Sequence, residues 1–195
     1  MHVVTPNREV IRLQWITVAW MIVEFAVAVG AGIKAHSLAL TAFGGDSAIE
    51  LFSATVVLSR FYLGDQLEQV ATRTTMILLY ALAVFITLSS GASLLLRIST
   101  AEGSYIGIAV LLAAAIIMPL LASRKRKLSA QTCSNALRAD AAQSSVCAYM
   151  SWIALAGIAI NTVFHLPWID SLAALALVPF ILYEANRARK GDLCC

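Results

Sequence analysis

The chain has 195 residues, of which 60% are hydrophobic and 13% charged, with a formal net charge of +3. Soluble domains carry about 25% charged residues, and a core of this size cannot hide so much apolar side chain, so the excess faces lipid. These proportions exclude a soluble globular domain, and the small positive charge is explained by loop lysines and arginines rather than by nucleic-acid binding.

A hydrocarbon core of about 30 Å needs roughly 20 helical residues, and six stretches qualify. The first covers about residues 11–35, preceded by Arg8 and Arg12 and carrying Glu24. It is too long for a signal peptide and is expected to be an uncleaved helix. The second, 38–61, holds Asp46 and Glu50. The third and fourth, 75–96 and 105–122, hold no ionisable residue and read as lipid-facing walls. The fifth, 137–164, carries Arg138, Asp140, Gln143 and Cys147. The sixth, 168–188, has Asp170 and Glu184 near its two ends, and 189–195 is a short tail ending in Cys194 and Cys195. Strict alternation is lacking and the runs are too long for strands. The expected fold is therefore an all-α membrane protein, a single-domain bundle of six transmembrane helices.

With an even number of spans both termini lie on one side. That side collects 12 of the 14 lysines and arginines, leaving only Lys34 and Arg97 opposite. The positive-inside rule then places both termini in the cytoplasm, and a plasma (inner) membrane is expected. The run "SRKRKLS" at 123–129 reads as part of this orientation signal, with anionic-lipid contact as the other option. Cys133, Cys194 and Cys195 fall on the cytoplasmic side, and nothing suggests an extracellular disulfide framework.

Charges at mid-span cost at least ~2.5–3.5 kcal/mol each and persist where they face a bundle interior or an ion path. Asp46 and Glu50 are four residues apart, one helix turn on one face, with Ser53 on the same face. In the fifth span Asp140, Gln143 and Cys147 form a second stripe, continued by Ser151 and Asn161. Counting about 1.5 Å per residue from opposite membrane surfaces brings Asp46 level with Cys147 and Glu50 level with Gln143. Asp140 falls lower. Carboxylates with a thiolate suit divalent transition metals: zinc first, with cobalt, cadmium, nickel, iron or manganese as other candidates. Desolvation disfavours charged acids, so the metal-free site is expected to hold protons, which metal entry releases. That coupling outlines a metal/proton exchange, with the metal as substrate and no organic cofactor.

The second-span "SLALTAFGGDSAIELFSA", the fifth-span "DAAQSSVCAY", "WIDSLAALALVPFILYEANRARKG" and the glutamate of "MIVEFAVAVGAG" resemble the cation diffusion facilitator superfamily, most closely its short members lacking a cytoplasmic C-terminal domain. The resemblance implies a metal/proton antiporter exporting metal from the cytosol as a homodimer, here held together by its spans. Carried over by position, the second-span ligands fall on Asp46 and Glu50. The fifth-span ligands, histidine and aspartate in the family pattern, fall on Gln143 and Cys147, which depart from it. Asp140 becomes a candidate for the missing oxygen.

Other readings stand beside these. Asp140 pairs with Arg138 or an interfacial lysine, Gln143 serves as interhelical hydrogen-bond glue, and Cys147 packs as a small residue. Glu24 reads first as a structural or proton-relay residue, and Asp170 as a helix cap. His36 and His165 read as solvated loop residues. Gly44 and Gly45 read as points of close helix approach. Cys194 and Cys195 are candidates for capturing soft metals, with idle thiols or lipidation as alternatives. A non-transporting metal sensor or partner subunit is the runner-up function. A thiol oxidoreductase is disfavoured because no Cys-x-x-Cys occurs, and a primary pump because no nucleotide-binding loop occurs. The chain is not expected to be an enzyme.

Overall fold

The computed structural model describes residues 6–34, 38–64, 67–96 and 105–164. It also describes 171–172, 175, 178–179, 181–183 and 185–186, while of 157–164 only the backbone is described. Five long helices run through these residues: α1 (Pro6–Lys34), α2 (Leu38–Leu63), α3 (Glu68–Leu96), α4 (Tyr105–Thr132) and α5 (Asn135–Phe164). The described residues of 171–186 are helical too, and Ile181 and Ala185 pack into the α3–α5 core.

Among the described residues three helices are long and apolar enough to cross a membrane: α1 from Asn7, α3 and α4. Their outward faces present Ile22, Val23, Ile77, Val84, Leu88, Ile116 and Leu120. In water such surface would be a liability, and in lipid it is ordinary. The helices α2 and α5 carry the polar stripes and lie centrally. The first touches α1, α3 and α5, and the second touches α2, α3 and α4.

The helices match the predicted spans at one end and overrun them at the other. The largest excess is in α4, which continues for ten residues past the predicted end at 122. The run "SRKRKLS" is therefore helix rather than loop. It contains no glycine or proline, and arginine, lysine and leucine are good helix formers. The helix stops at Cys133, which takes a left-handed φ of 49°. The Ser134 amide then donates to the Ser129 carbonyl at 3.1 Å, the longer bond of a Schellman ending.

Ser134 at once begins α5. Its hydroxyl accepts from the Leu137 amide at 3.2 Å, the geometry of an N-cap. Glu68, at the start of α3, takes the Ala136 amide at 3.0 Å and the Ser134 hydroxyl, and pairs with Arg60 at the end of α2. A single carboxylate thus ties the ends of three helices together. The turn after α2 uses Gly64 at φ 105°, whose amide donates to the Arg60 carbonyl.

Close packing around α2 rests on glycine. A Cβ on Gly32 of α1 would lie 2.8 Å from the backbone nitrogen of Thr41. On Gly44 it would lie 2.6 Å from Val29 of α1, and on Gly45 2.7 Å from the Phe85 ring of α3. Gly44 and Gly45 therefore let α2 approach a helix on each side, as expected from their sequence. Asp46 follows them directly and is carried into the interior.

Candidate metal centre

Helix α2 runs antiparallel to α5, and its polar stripe faces that of α5. Asp46 and Glu50 are buried, as are Asp140, Gln143 and Cys147. Asp46 lies beside Cys147. One turn along, Glu50 accepts from the Ser144 hydroxyl. Another turn along, Ser53 donates to Asp140 Oδ1 at 2.8 Å. The register is that given by matching depths for Asp46 and Cys147. For Glu50 the bonded partner on α5 is Ser144, the neighbour of the expected Gln143.

These side chains fall into two groups. The first, a thiol cluster, contains Glu24, Asp46 and Cys147. Glu24 of α1 is fully buried and accepts three bonds: from Trp20 Nε1 at 2.6 Å, from Ser47 Oγ at 2.7 Å and from Cys147 Sγ at 3.4 Å. Helices α1, α2 and α5 each contribute one acid or thiol. Among the described residues no lysine, arginine or histidine pairs with this cluster. Cys147 is a free thiol.

The second group, a lysine cluster, contains Glu50, Asp140 and Lys125. Asp140 Oδ2 accepts from Gln14 Nε2 of α1 at 2.8 Å and pairs with Lys125 Nζ of α4 at 2.8 Å. With Ser53 on its other oxygen, Asp140 of α5 joins four helices. Lys125 Nζ also donates to Ser144 Oγ at 2.7 Å and stands 3.5 Å from Glu50 Oε1. Its three N–H donors therefore have three acceptors. Lys125 and both its carboxylate partners have no exposed side-chain surface.

Lys125 is not among the site residues expected from sequence, where it belongs to the basic orientation signal. A usable signal exists. Buried positions of α4 recur at Leu111, Ala114, Met118, Leu121, Lys125 and Leu128, steps of three and four along one helix face. Lys125 lies on that stripe, whereas Arg124, Arg126 and Lys127 lie off it and are exposed. The fourth span, expected as a lipid-facing wall over 105–122, turns Leu111, Ala114 and Met118 inward, and beyond its expected end α4 delivers a cation to the interior. Gln14, Trp20, Ser47 and Ser144 are further site residues that sequence reasoning misses. Their residue types carry no site signal until tertiary packing places them.

The buried oxygens with no protein partner among the described residues include Gln14 Oε1, Asp46 Oδ2, Glu50 Oε2 and Gln143 Oε1. Gln143 is unpartnered at its nitrogen also, so the described contacts do not use it as interhelical glue. Buried polar groups of this kind are rare in native structures and call for an ion or water. Among the described residues no three His, Cys, Asp or Glu side chains converge tightly enough to hold a metal ion. The acids are instead occupied by hydroxyls, the thiol and the lysine. His36, His165, Asp170, Glu184, Cys194 and Cys195 lie outside the described residues, as does the Asn161 side chain.

No curated protein and no solved structure matches the chain significantly. A family model described as the cation efflux transmembrane domain matches residues 14–190. The match runs from Gln14 through all the buried acids and beyond Cys147, so it includes both clusters. Buried carboxylates between apolar helices, together with a family match across nearly the whole chain, identify an integral membrane protein that belongs to the cation efflux family of cation transporters.

Proposed function

We propose that this protein is a secondary-active transporter that exports zinc-like divalent metals from the cytosol in exchange for protons. Six helices span the plasma membrane with both termini cytoplasmic, and two copies associate through their spans. Asp46, Glu50 and Cys147, which do not converge tightly enough as they stand, draw together around the metal at mid-membrane, with Glu24 and Gln143 as further oxygen donors, while Asp140 serves chiefly to hold Lys125.

One observation carries this reading. The antiparallel register of α2 and α5 places Asp46 beside Cys147 and within one turn of Glu50, in an interior where both carboxylates retain an unpartnered oxygen. Two oxygens and a sulfur from three side chains suit a borderline-soft dication. A thiolate in the set favours zinc and cadmium over manganese and magnesium. Binding requires these groups to be ionised, so metal displaces whatever protons they hold. Reversing that exchange on the other side of the membrane couples metal efflux to proton entry.

The test is flux into proteoliposomes under an imposed proton gradient, comparing zinc, cobalt, nickel, cadmium, iron and manganese. The wild-type protein is expected to move zinc or a close relative, with proton counterflow, and Asp46→Ala to be inactive. Flux that survives Asp46→Ala would remove the site from this position. Metal bound without flux would assign a sensor or partner subunit instead.

A further inference from the structure

Lys125 stands out because nothing in metal transport as proposed above uses it. A lysine with no exposed side-chain surface is expensive and is kept only with good partners. Its partners here are unequal. Asp140 holds it directly at 2.8 Å, whereas Glu50 is 3.5 Å away. Contact with Glu50 passes mainly through Ser144, whose hydroxyl accepts from Lys125 and donates to Glu50. Glu50 meanwhile keeps its second oxygen without a partner. The lysine can therefore lose Glu50 and stay neutralised by Asp140. Asp140 is itself held by Gln14 and Ser53.

We propose that Lys125 is a tethered counter-ion that competes with the substrate metal for Glu50, lowering metal affinity so that the ion can be released. This rests on the reading of Glu50 as a metal ligand. Before metal arrives, Lys125 balances part of the charge on Glu50. When a dication takes Glu50, like charges face each other across Ser144, and the lysine keeps Asp140 as its partner. When the metal leaves, the ammonium again compensates Glu50, so the carboxylate is never left as an isolated buried charge. A site with Asp46, Glu50 and Cys147 but no nearby cation would hold its metal too tightly to turn over.

The experiment is calorimetric titration of zinc, and of cobalt, nickel, cadmium, iron and manganese in turn, into the full-length protein in detergent, with thermal unfolding followed in parallel. The variants are Lys125→Gln, Lys125→Arg, the double variant Lys125→Met with Asp140→Asn, and Asp46→Ala. Removing a positive charge this close to the ion is expected to tighten zinc binding by about tenfold or more in Lys125→Gln, even as its melting temperature falls. Lys125→Arg is expected to bind near the wild-type level. The double variant, which removes the competitor together with its partner, is expected to bind more tightly than wild type with recovered stability, and it decides the matter if Lys125→Gln does not fold. Plain structural damage would loosen binding and lower stability together. Suppose zinc binds wild type, Asp46→Ala abolishes that binding, and the folded Lys125 variants bind no more tightly than wild type. Then Lys125 is not a competitor and the transport site stands. Failure of wild type to bind any of the six metals would overturn both proposals.

Discussion

The two buried clusters are built from the same kinds of acid, one glutamate and one aspartate each, and solve the cost of burial differently. The thiol cluster, Glu24 with Asp46 and Cys147, has only neutral donors around it: an indole, a hydroxyl and a thiol. The lysine cluster, Glu50 with Asp140, carries its own cation on α4. An ion pair inside the bundle stabilises the second cluster as a joint between helices. The first has no such compensation among the described residues, so a dication or protons must supply it. One helix turn of α2, from Asp46 to Glu50, separates a place that wants a cation from a place that already has one.

The largest expected effect attacks the uncompensated side. Asp46→Asn should reduce zinc affinity by more than the roughly 10–100-fold that loss of a supporting partner costs, while leaving the melting temperature close to wild type, since no protein cation depends on Asp46. Asp140→Ala should do the opposite. It leaves Lys125 without its closest charged partner, at a cost of about 3–5 kcal/mol that is visible in thermal unfolding. Equal damage to stability from both substitutions would erase the distinction between the clusters.

Cys147→Ser sharpens the comparison by replacing a soft donor with a hard one of similar size. Zinc and cadmium binding should weaken by about tenfold relative to manganese, read by competition titration. Gly32→Ala tests both clusters together, because α1 delivers Glu24 to one and Gln14 to the other. The new Cβ meets the Thr41 backbone at 2.8 Å, so α1 and α2 must separate. A loss of about 1–3 kcal/mol is expected, together with weaker zinc binding. The smallest effect is at the start of α5, where Ser134→Ala removes an N-cap worth about 1 kcal/mol. It should lower stability slightly and leave metal selectivity unchanged.

Much of the thiol cluster is legible in the amino-acid order. Asp46 and Glu50 four residues apart, and Gln143 and Cys147 on their own stripe, define two helix faces by period alone. Counting residues from opposite surfaces sets Asp46 against Cys147. The lysine cluster is legible only in its acids. Asp140 has an interfacial lysine among its candidate partners, but a run of four basic residues reads as a solvated end, and only the three-and-four spacing from the apolar stripe of α4 singles out Lys125 within it. Glu24 stands out as an intramembrane acid without its neighbours, since the Ser47 and Cys147 contacts join one segment of α1 to two distant helices.

The sequence by itself determined that the chain is a membrane bundle with acids inside it, because hydropathy, helix period and the charge cost of lipid are local or additive quantities. It also determined which residues share a face. Only the tertiary structure decided which of those acids receives a cation from the protein. That depends on α4 continuing past its apolar stretch and packing on α5, so that one basic residue of four turns inward onto Asp140 and Ser144. A buried charge is tolerable only by virtue of its neighbours, and neighbours contributed by other helices are not written in the residue that needs them.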